Sequence, residues 1–147
     1  MKHKKLFIIS VVFAFFISLS AISVNAADYR YQPDLVVTDI WFNQITSCRS
    51  IGLSRTAEVQ VTINVRNQGN VTAYNFTDTI EIYGAGPYKS QDFFVSYLPG
   101  GNSVNHTKVF KRNCFQTMYA NATADYYDDV SESDEYNNRR MENYYVG

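Results

Sequence analysis

From Ala57 to Arg66 the chain alternates without interruption, with Val59, Val61, Ile63 and Val65 on one parity and Gln60, Thr62, Asn64 and Arg66 on the other. A period of two held over that length marks a strand with one buried and one wet face. Asn67-Gln68-Gly69-Asn70 is a turn signal, and Ala73 to Tyr83 then resumes the alternation with Phe76, Ile80 and Ile82 inward. Asp78 falls in that same inward phase, which calls for either a position near a rim or a bulge in the strand. Upstream, Asp34 to Phe42 is rich in β-formers, and Trp41 beside Phe42 reads as core. Downstream, Gly84-Ala85-Gly86-Pro87 breaks the chain, Asp92 to Leu98 is apolar and aromatic, Pro99 to Ser103 is a loop, and Val104 to Lys111 is another strand. Thr117 to Asp125 alternates Met118, Ala120, Ala122 and Ala124 inward with Tyr119, Asn121 and Thr123 outward, and Arg139 to Val146 is the last strand. About seven short strands joined by Gly- and Pro-bearing connections, with no helical periodicity after residue 26, predict an all-β fold, a single antiparallel β-sandwich.

The N-terminal segment is of a different kind. Met1 to Lys5 is cationic, Leu6 to Leu19 is a nearly continuous apolar run, and Val24-Asn25-Ala26 presents the side chains a signal peptidase reads. Residues 1–26 are therefore expected to be a signal peptide and residues 27–147 the domain. The competing reading is an uncleaved anchor, since Leu6 to Val24 is 19 residues long and could just span a bilayer. Nothing else is long and apolar enough to cross, so no membrane span is expected after cleavage and the product is secreted or held at the cell surface. The division changes the charge as well. The whole chain carries a formal charge of −1, but without Lys2, Lys4 and Lys5 the remainder has 10 basic against 14 acidic residues. A domain of that sign gives no electrostatic reason to expect nucleic acid as a partner.

Cys48 and Cys114 are the only cysteines, and two in an exported chain read as a disulfide. Closing that loop would stabilise the fold by roughly 4 kcal/mol on the loop-entropy account. Four Asn-x-Thr triplets, at Asn70, Asn75, Asn105 and Asn121, are either N-glycosylation acceptors or the by-product of an Asn- and Thr-rich chain. The alternation puts Asn75 with Thr77, and Asn121 with Thr123, on wet strand faces.

Several segments resemble one family in order and spacing. Pro33-Asp34-Leu35-Val36-Val37 opens the domain, Val65-Arg66-Asn67-Gln68-Gly69 ends a strand, and Gly100-Gly101-Asn102-Ser103 marks the middle. Near the end, Ala124-Asp125 is followed by Val130-Ser131-Glu132-Ser133-Asp134-Glu135-Tyr136-Asn137-Asn138. This is similar to CARDB, the cell-adhesion-related domain of bacteria, and the terminal acidic-Asn signature is the specific part. The resemblance implies an immunoglobulin-like β-sandwich used extracellularly. The chain departs from the pattern in standing as a lone domain, in its cysteine pair, and in a longer, less regular stretch between Phe42 and Ala57.

Little material for catalysis remains. His106 is the one histidine after residue 26, inside a triplet on a predicted strand, and reads as a surface residue. Paired cysteines supply neither nucleophile nor zinc ligand, and no Gly-rich phosphate loop precedes a helix. The chain therefore reads as no enzyme and as needing no cofactor. One ion is open: Asp125, Asp128, Asp129, Glu132, Asp134 and Glu135, with Asn137 and Asn138, offer the oxygen-only chemistry that calcium prefers. The same residues could instead hydrogen-bond loop backbone and hold the last crossover. Tyr126, Tyr127, Tyr136, Tyr144 and Tyr145 crowd the C-terminal fifth and could stack on a sugar, anchor a protein, or simply pack cross-strand pairs.

Together these readings describe a non-catalytic, exported adhesion or binding module recognising an extracellular protein or glycan. Self-association is the second reading: residues 27–32 could be donated as a strand to a neighbour's open edge, building a filament. A small calcium-stabilised secreted effector or inhibitor is the third.

Overall fold

The structure is a computed structural model that describes residues 31–48 and 55–147. The expected leader at residues 1–26 and most of the expected strand-donor segment lie outside the described residues, as does residue 49–54 of the irregular stretch after Phe42.

Among the described residues seven strands follow one another: β1 (Leu35–Gln44), β2 (Thr56–Asn67), β3 (Ala73–Gly84), β4 (Lys89–Leu98), β5 (Ser103–Asn113), β6 (Gln116–Thr123) and β7 (Arg139–Val146). They form two antiparallel sheets, one ordered β1-β2-β5 and the other β4-β3-β6-β7. This is the expected immunoglobulin-like sandwich. The alternating apolar parity of β2 does become its inner face, with Val59, Val61, Ile63 and Val65 fully buried among Phe76, Ile80, Ile82 and Met118 of the other sheet. Each such side chain removed from water contributes about 1.5–3 kcal/mol.

The open sides of the sandwich are closed by side chains reaching from sheet to sheet. On one side a register shift between Val37 and Asp39 bulges β1 at Thr38. The Thr38 carbonyl accepts a 2.7 Å bond from Arg140 Nη1 of β7, as befits a bulge residue left out of the ladder. The Phe42 and Tyr144 rings stack at 5.3 Å on the same side. Trp41, expected in the core, is 47% exposed on the outer face of β1, because the alternation of Ile40 and Phe42 inward leaves it no other direction.

On the opposite side His106 of β5 and Asp78 of β3 meet between the sheets, with the Phe93 ring of β4 stacked on the imidazole at 4.7 Å. Two expectations are corrected here. Asp78 is neither at a rim nor in a bulge, since β3 keeps its register with β4 through it and its carboxylate is fully buried where His106 reaches across to it, and His106 itself is largely enclosed rather than a surface residue. Arg112, near the far end of β5, is buried too, with Nη1 donating to the Pro87 carbonyl at 2.5 Å and the guanidinium 5.6 Å from the Phe110 ring centre. Burial pushes its pKa down. At the same end Cys48 and Cys114 form the disulfide, tying the segment after β1 to the β5–β6 turn with Cα atoms 5.7 Å apart.

Candidate functional site

The acidic segment between β6 and β7 folds back onto the first strand. Glu132 Oε2 accepts the Leu35 N–H and Oε1 accepts from Asn138 Nδ2 at 2.7 Å. Asp34 receives Asn137 Nδ2 at 2.8 Å and the Ser133 hydroxyl at 3.0 Å, and the Ser133 N–H donates to the Pro33 carbonyl at 2.9 Å. The opening Pro33-Asp34-Leu35 segment and the closing Glu132 to Asn138 segment are thus two halves of one polar clasp. Their spacing along the chain conceals this, because the partners stand about a hundred residues apart.

Asp125 works locally. Its backbone adopts a positive φ of 45°, and its carboxylate accepts the N–H groups of Asp129 and Val130 at 3.1 and 2.7 Å. Glu135 accepts the Glu132 N–H, and Asp134 accepts that of Tyr136. Asp128 and Asp129 are exposed. Among the described residues no group of three or more His, Cys, Asp or Glu side chains is placed to hold a metal ion.

Burial sets the electrostatics of this loop. It pushes the Glu132 carboxyl up to about 8, helped by the negative charges of Glu135 and Asp125 and opposed by the two N–H donors. It also raises Asp125, against the bonds from Val130 and Asp129.

A second polar node lies at the end of β2. Asn67 is fully buried and its amide is fully satisfied: Nδ2 donates to the Val71 and Leu98 carbonyls at 2.7 and 2.9 Å, and Oδ1 accepts the N–H groups of Asp34 and Gly69 at 3.2 and 3.1 Å. A side chain at Gly69 would collide with the Gln32 carbonyl oxygen and the Asp34 nitrogen. The Asn-x-Gly pattern is therefore the hub that joins the chain before β1 to two loops.

The four Asn-x-Thr triplets part company in the fold. Asn70, Asn75 and Asn105 are exposed, Asn75 with a positive φ of 54°. Asn121 does lie on the outer parity of β6 but is fully buried there, its Nδ2 donating to Glu81 Oε2 at 2.6 Å and its Oδ1 accepting from Arg139 Nε at 2.6 Å. The wet-face reading of Asn121 is thus corrected: side chains of the strands on either side close over it.

The C-terminal tyrosines are likewise divided. Tyr144 packs on Phe42 within the sandwich edge, and Tyr136 stands alone at 98% exposure. Tyr126 and Tyr127 meet edge to face at 5.2 Å, with the Tyr127 hydroxyl donating to Asp92 Oδ2 at 3.2 Å. Tyr145 lies on the outer face of the four-stranded sheet, where it joins residues that the C-terminal grouping missed. Tyr83 and Tyr119 are direct cross-strand partners on that face, Tyr145 is diagonal to Tyr119, and Tyr88 lies 5.2 Å from Tyr83. Met141 is opposite Asn121. All five are exposed. The signal for this band was the outward parity of Tyr83, Tyr119 and Tyr145, visible only once the strands are placed side by side.

Glu81 is sunk beneath the band. Burial alone would raise its carboxyl, but donors from Tyr88 (2.9 Å), Asn121 and Tyr83, with the charge of Arg139, outweigh it and hold the group below the usual range. The carboxylate is thus masked, and the Tyr83 and Tyr88 hydroxyls are held on it.

Solved structures show the same fold. The CARDB domain of a Pyrococcus furiosus protein, crystallised in complex with di-metal ions, aligns with a TM-score of 0.51 and 21% identity over 78% of this chain and 94% of that one. A solution structure of the same Pyrococcus domain gives 0.50 and 18%, covering 79% and 96%. A comparison with curated proteins finds no match. The family model for CARDB matches residues 32–142. That span runs from the Pro33-Asp34-Leu35 half of the clasp into the first half of β7, and the chain belongs to the CARDB family of cell-surface-associated, adhesion-type domains.

Proposed function

We propose that the chain is an exported, non-catalytic binding module of the cell surface, and that the outer face of the β4-β3-β6-β7 sheet is where it docks an extracellular protein. The observation that carries this reading is the band formed by Tyr83, Tyr88, Tyr119, Tyr145 and Met141, exposed together around a masked carboxylate. Tyrosine and methionine with few charges at the centre make up the composition of protein interface cores. Tyr83 and Tyr88, held on Glu81 by their hydroxyls, also lose less freedom on binding than flexible side chains do. The leader expected at residues 1–26 and the family's cell-surface association support the exported part of the reading.

The test is binding of the labelled domain to intact cells of the producing organism. The triple variant Y83S/Y119S/Y145S, melting within a few degrees of the parent, is expected to bind at least tenfold more weakly, and protease treatment of the cells is expected to abolish binding. Undiminished binding by the variant, or binding that survives protease, overturns the reading. Assemblies grown from the pure domain alone and lost in the triple variant would assign the face to a second copy of this chain instead.

A further inference from the structure

The other outer surface, that of the β1-β2-β5 sheet, has a different chemistry. It carries Trp41, the chain's one tryptophan, in a row with Thr62 and Thr107. The hydroxyls of those threonines lie 2.9 Å apart. One flanking row runs from Asn43 through Gln60 to Val109, with Asn43 Nδ2 at 3.5 Å from Gln60 Oε1. In the other, Asn64 Nδ2 donates to Asn105 Oδ1 at 2.7 Å. These bonds orient the amides without exhausting them. The NH2 groups of Gln60 and Asn105 and the carbonyl oxygen of Asn43 are left for a ligand. The three rows contain one charged side chain, Asp39 at the margin, and it faces Arg140 Nη2 at 4.0 Å.

An exposed indole beside uncharged amides and hydroxyls narrows what can sit on this face. An acidic partner would need a cation at its centre, and none is there. A protein would have to match a fixed grid of amides and hydroxyls while gaining little apolar contact beyond Trp41 and Val109. A neutral sugar ring meets both demands, since its C–H face stacks on the electron-rich indole and its hydroxyls both donate and accept. Strands are spaced about 4.8 Å apart, so the row from Trp41 to Thr107 runs about 10 Å, room for two sugar rings. We infer that this face binds a neutral oligosaccharide, one ring stacked on Trp41 and the next held by Thr62, Thr107 and the flanking amides. The inference stands apart from the tyrosine face, which lies on the other sheet.

The single tryptophan makes the test direct, because all tryptophan emission comes from Trp41. The protein is made in a host without N-glycosylation, so that Asn105 carries no glycan of its own, and is titrated with neutral tetrasaccharides of glucose, mannose, xylose and N-acetylglucosamine, with heparin as the acidic comparison. At least one neutral sugar is expected to give a saturable emission change that half-molar salt leaves intact. By calorimetry W41A should bind that sugar at least tenfold more weakly, W41Y should retain part of the affinity, and T62V/T107V should lose severalfold. Y83S/Y119S/Y145S should bind it as the parent does, which separates this inference from the tyrosine-face reading. No response to any neutral sugar at millimolar concentration, unchanged binding by W41A, or binding of heparin alone that salt abolishes would overturn it.

Discussion

His106 Nε2 lies 2.8 Å from Asp78 Oδ2 between the two sheets, so that a strand of one sheet is tied to a strand of the other by a buried polar pair. The second Asp78 oxygen accepts the Asp125 N–H at 3.2 Å, which extends the tie to the start of the acidic loop. Burial raises the Asp78 carboxyl, and the bond and charge of His106 oppose that rise. Breaking such a pair strands the remaining partner, and this is worse than replacing both. H106A is expected to destabilise the domain by about 3 kcal/mol, and D78L/H106L by less than H106A alone. Urea unfolding of the two variants checks the order.

Glu132 predicts a pH dependence. Its folded pKa of about 8 lies above the ordinary 4.5, so the folded chain keeps a proton that the unfolded chain releases between those values. The stabilisation from this group is complete below pH 4.5 and is lost as the pH rises through 8. Asp78 and Asp125, also raised, act in the same sense. Melting temperature should fall between pH 5 and pH 8, with Glu132 contributing at most about 1.4 kcal/mol per pH unit. E132Q should flatten the slope. The glutamine can keep the Leu35 N–H bond, and a flip of Asn138 would offer its buried, unpartnered Oδ1 to the new NH2 group.

Asn67 is expected to be among the most sensitive polar positions. N67A removes four hydrogen bonds and leaves the Val71 and Leu98 carbonyls without their donor. A loss of about 2–4 kcal/mol follows if two of those buried groups stay unsatisfied. Hydrogen exchange should show the loss as early opening around Asp34, Gly69 and Leu98.

Asn121 should stay unmodified in any host that glycosylates the chain, because a glycan on Nδ2 would displace Glu81 and Arg139. Peptide mass mapping checks this against Asn70, Asn75 and Asn105. N121A should cost about 1–3 kcal/mol by leaving buried groups unpaired.

All seven strands were legible in the sequence, within a few residues at each end, because a period of two is a local property that a strand carries wherever it lies. The cysteine pairing was legible too, since two cysteines admit one intramolecular bridge. What each parity would face was not. Asn121 and Trp41 both occupy outward positions, yet one is covered by neighbouring strands and the other is bare, because cover comes from strands distant in sequence. Asp78 reads as an error in its strand until His106, 28 residues on, stands opposite it. The acidic segment reads either as calcium ligands or as a hydrogen-bonded crossover, and the bonds from Leu35 to Glu132 and from Asn137 to Asp34 join it to residues about a hundred positions away that no local pattern points to. The sequence by itself determined the strands, their alternation and the bridge. Only the tertiary structure decided which polar groups are spent on one another and which surfaces remain for a partner, because hydrogen-bond capacity is consumed by whatever the sheet order brings within reach.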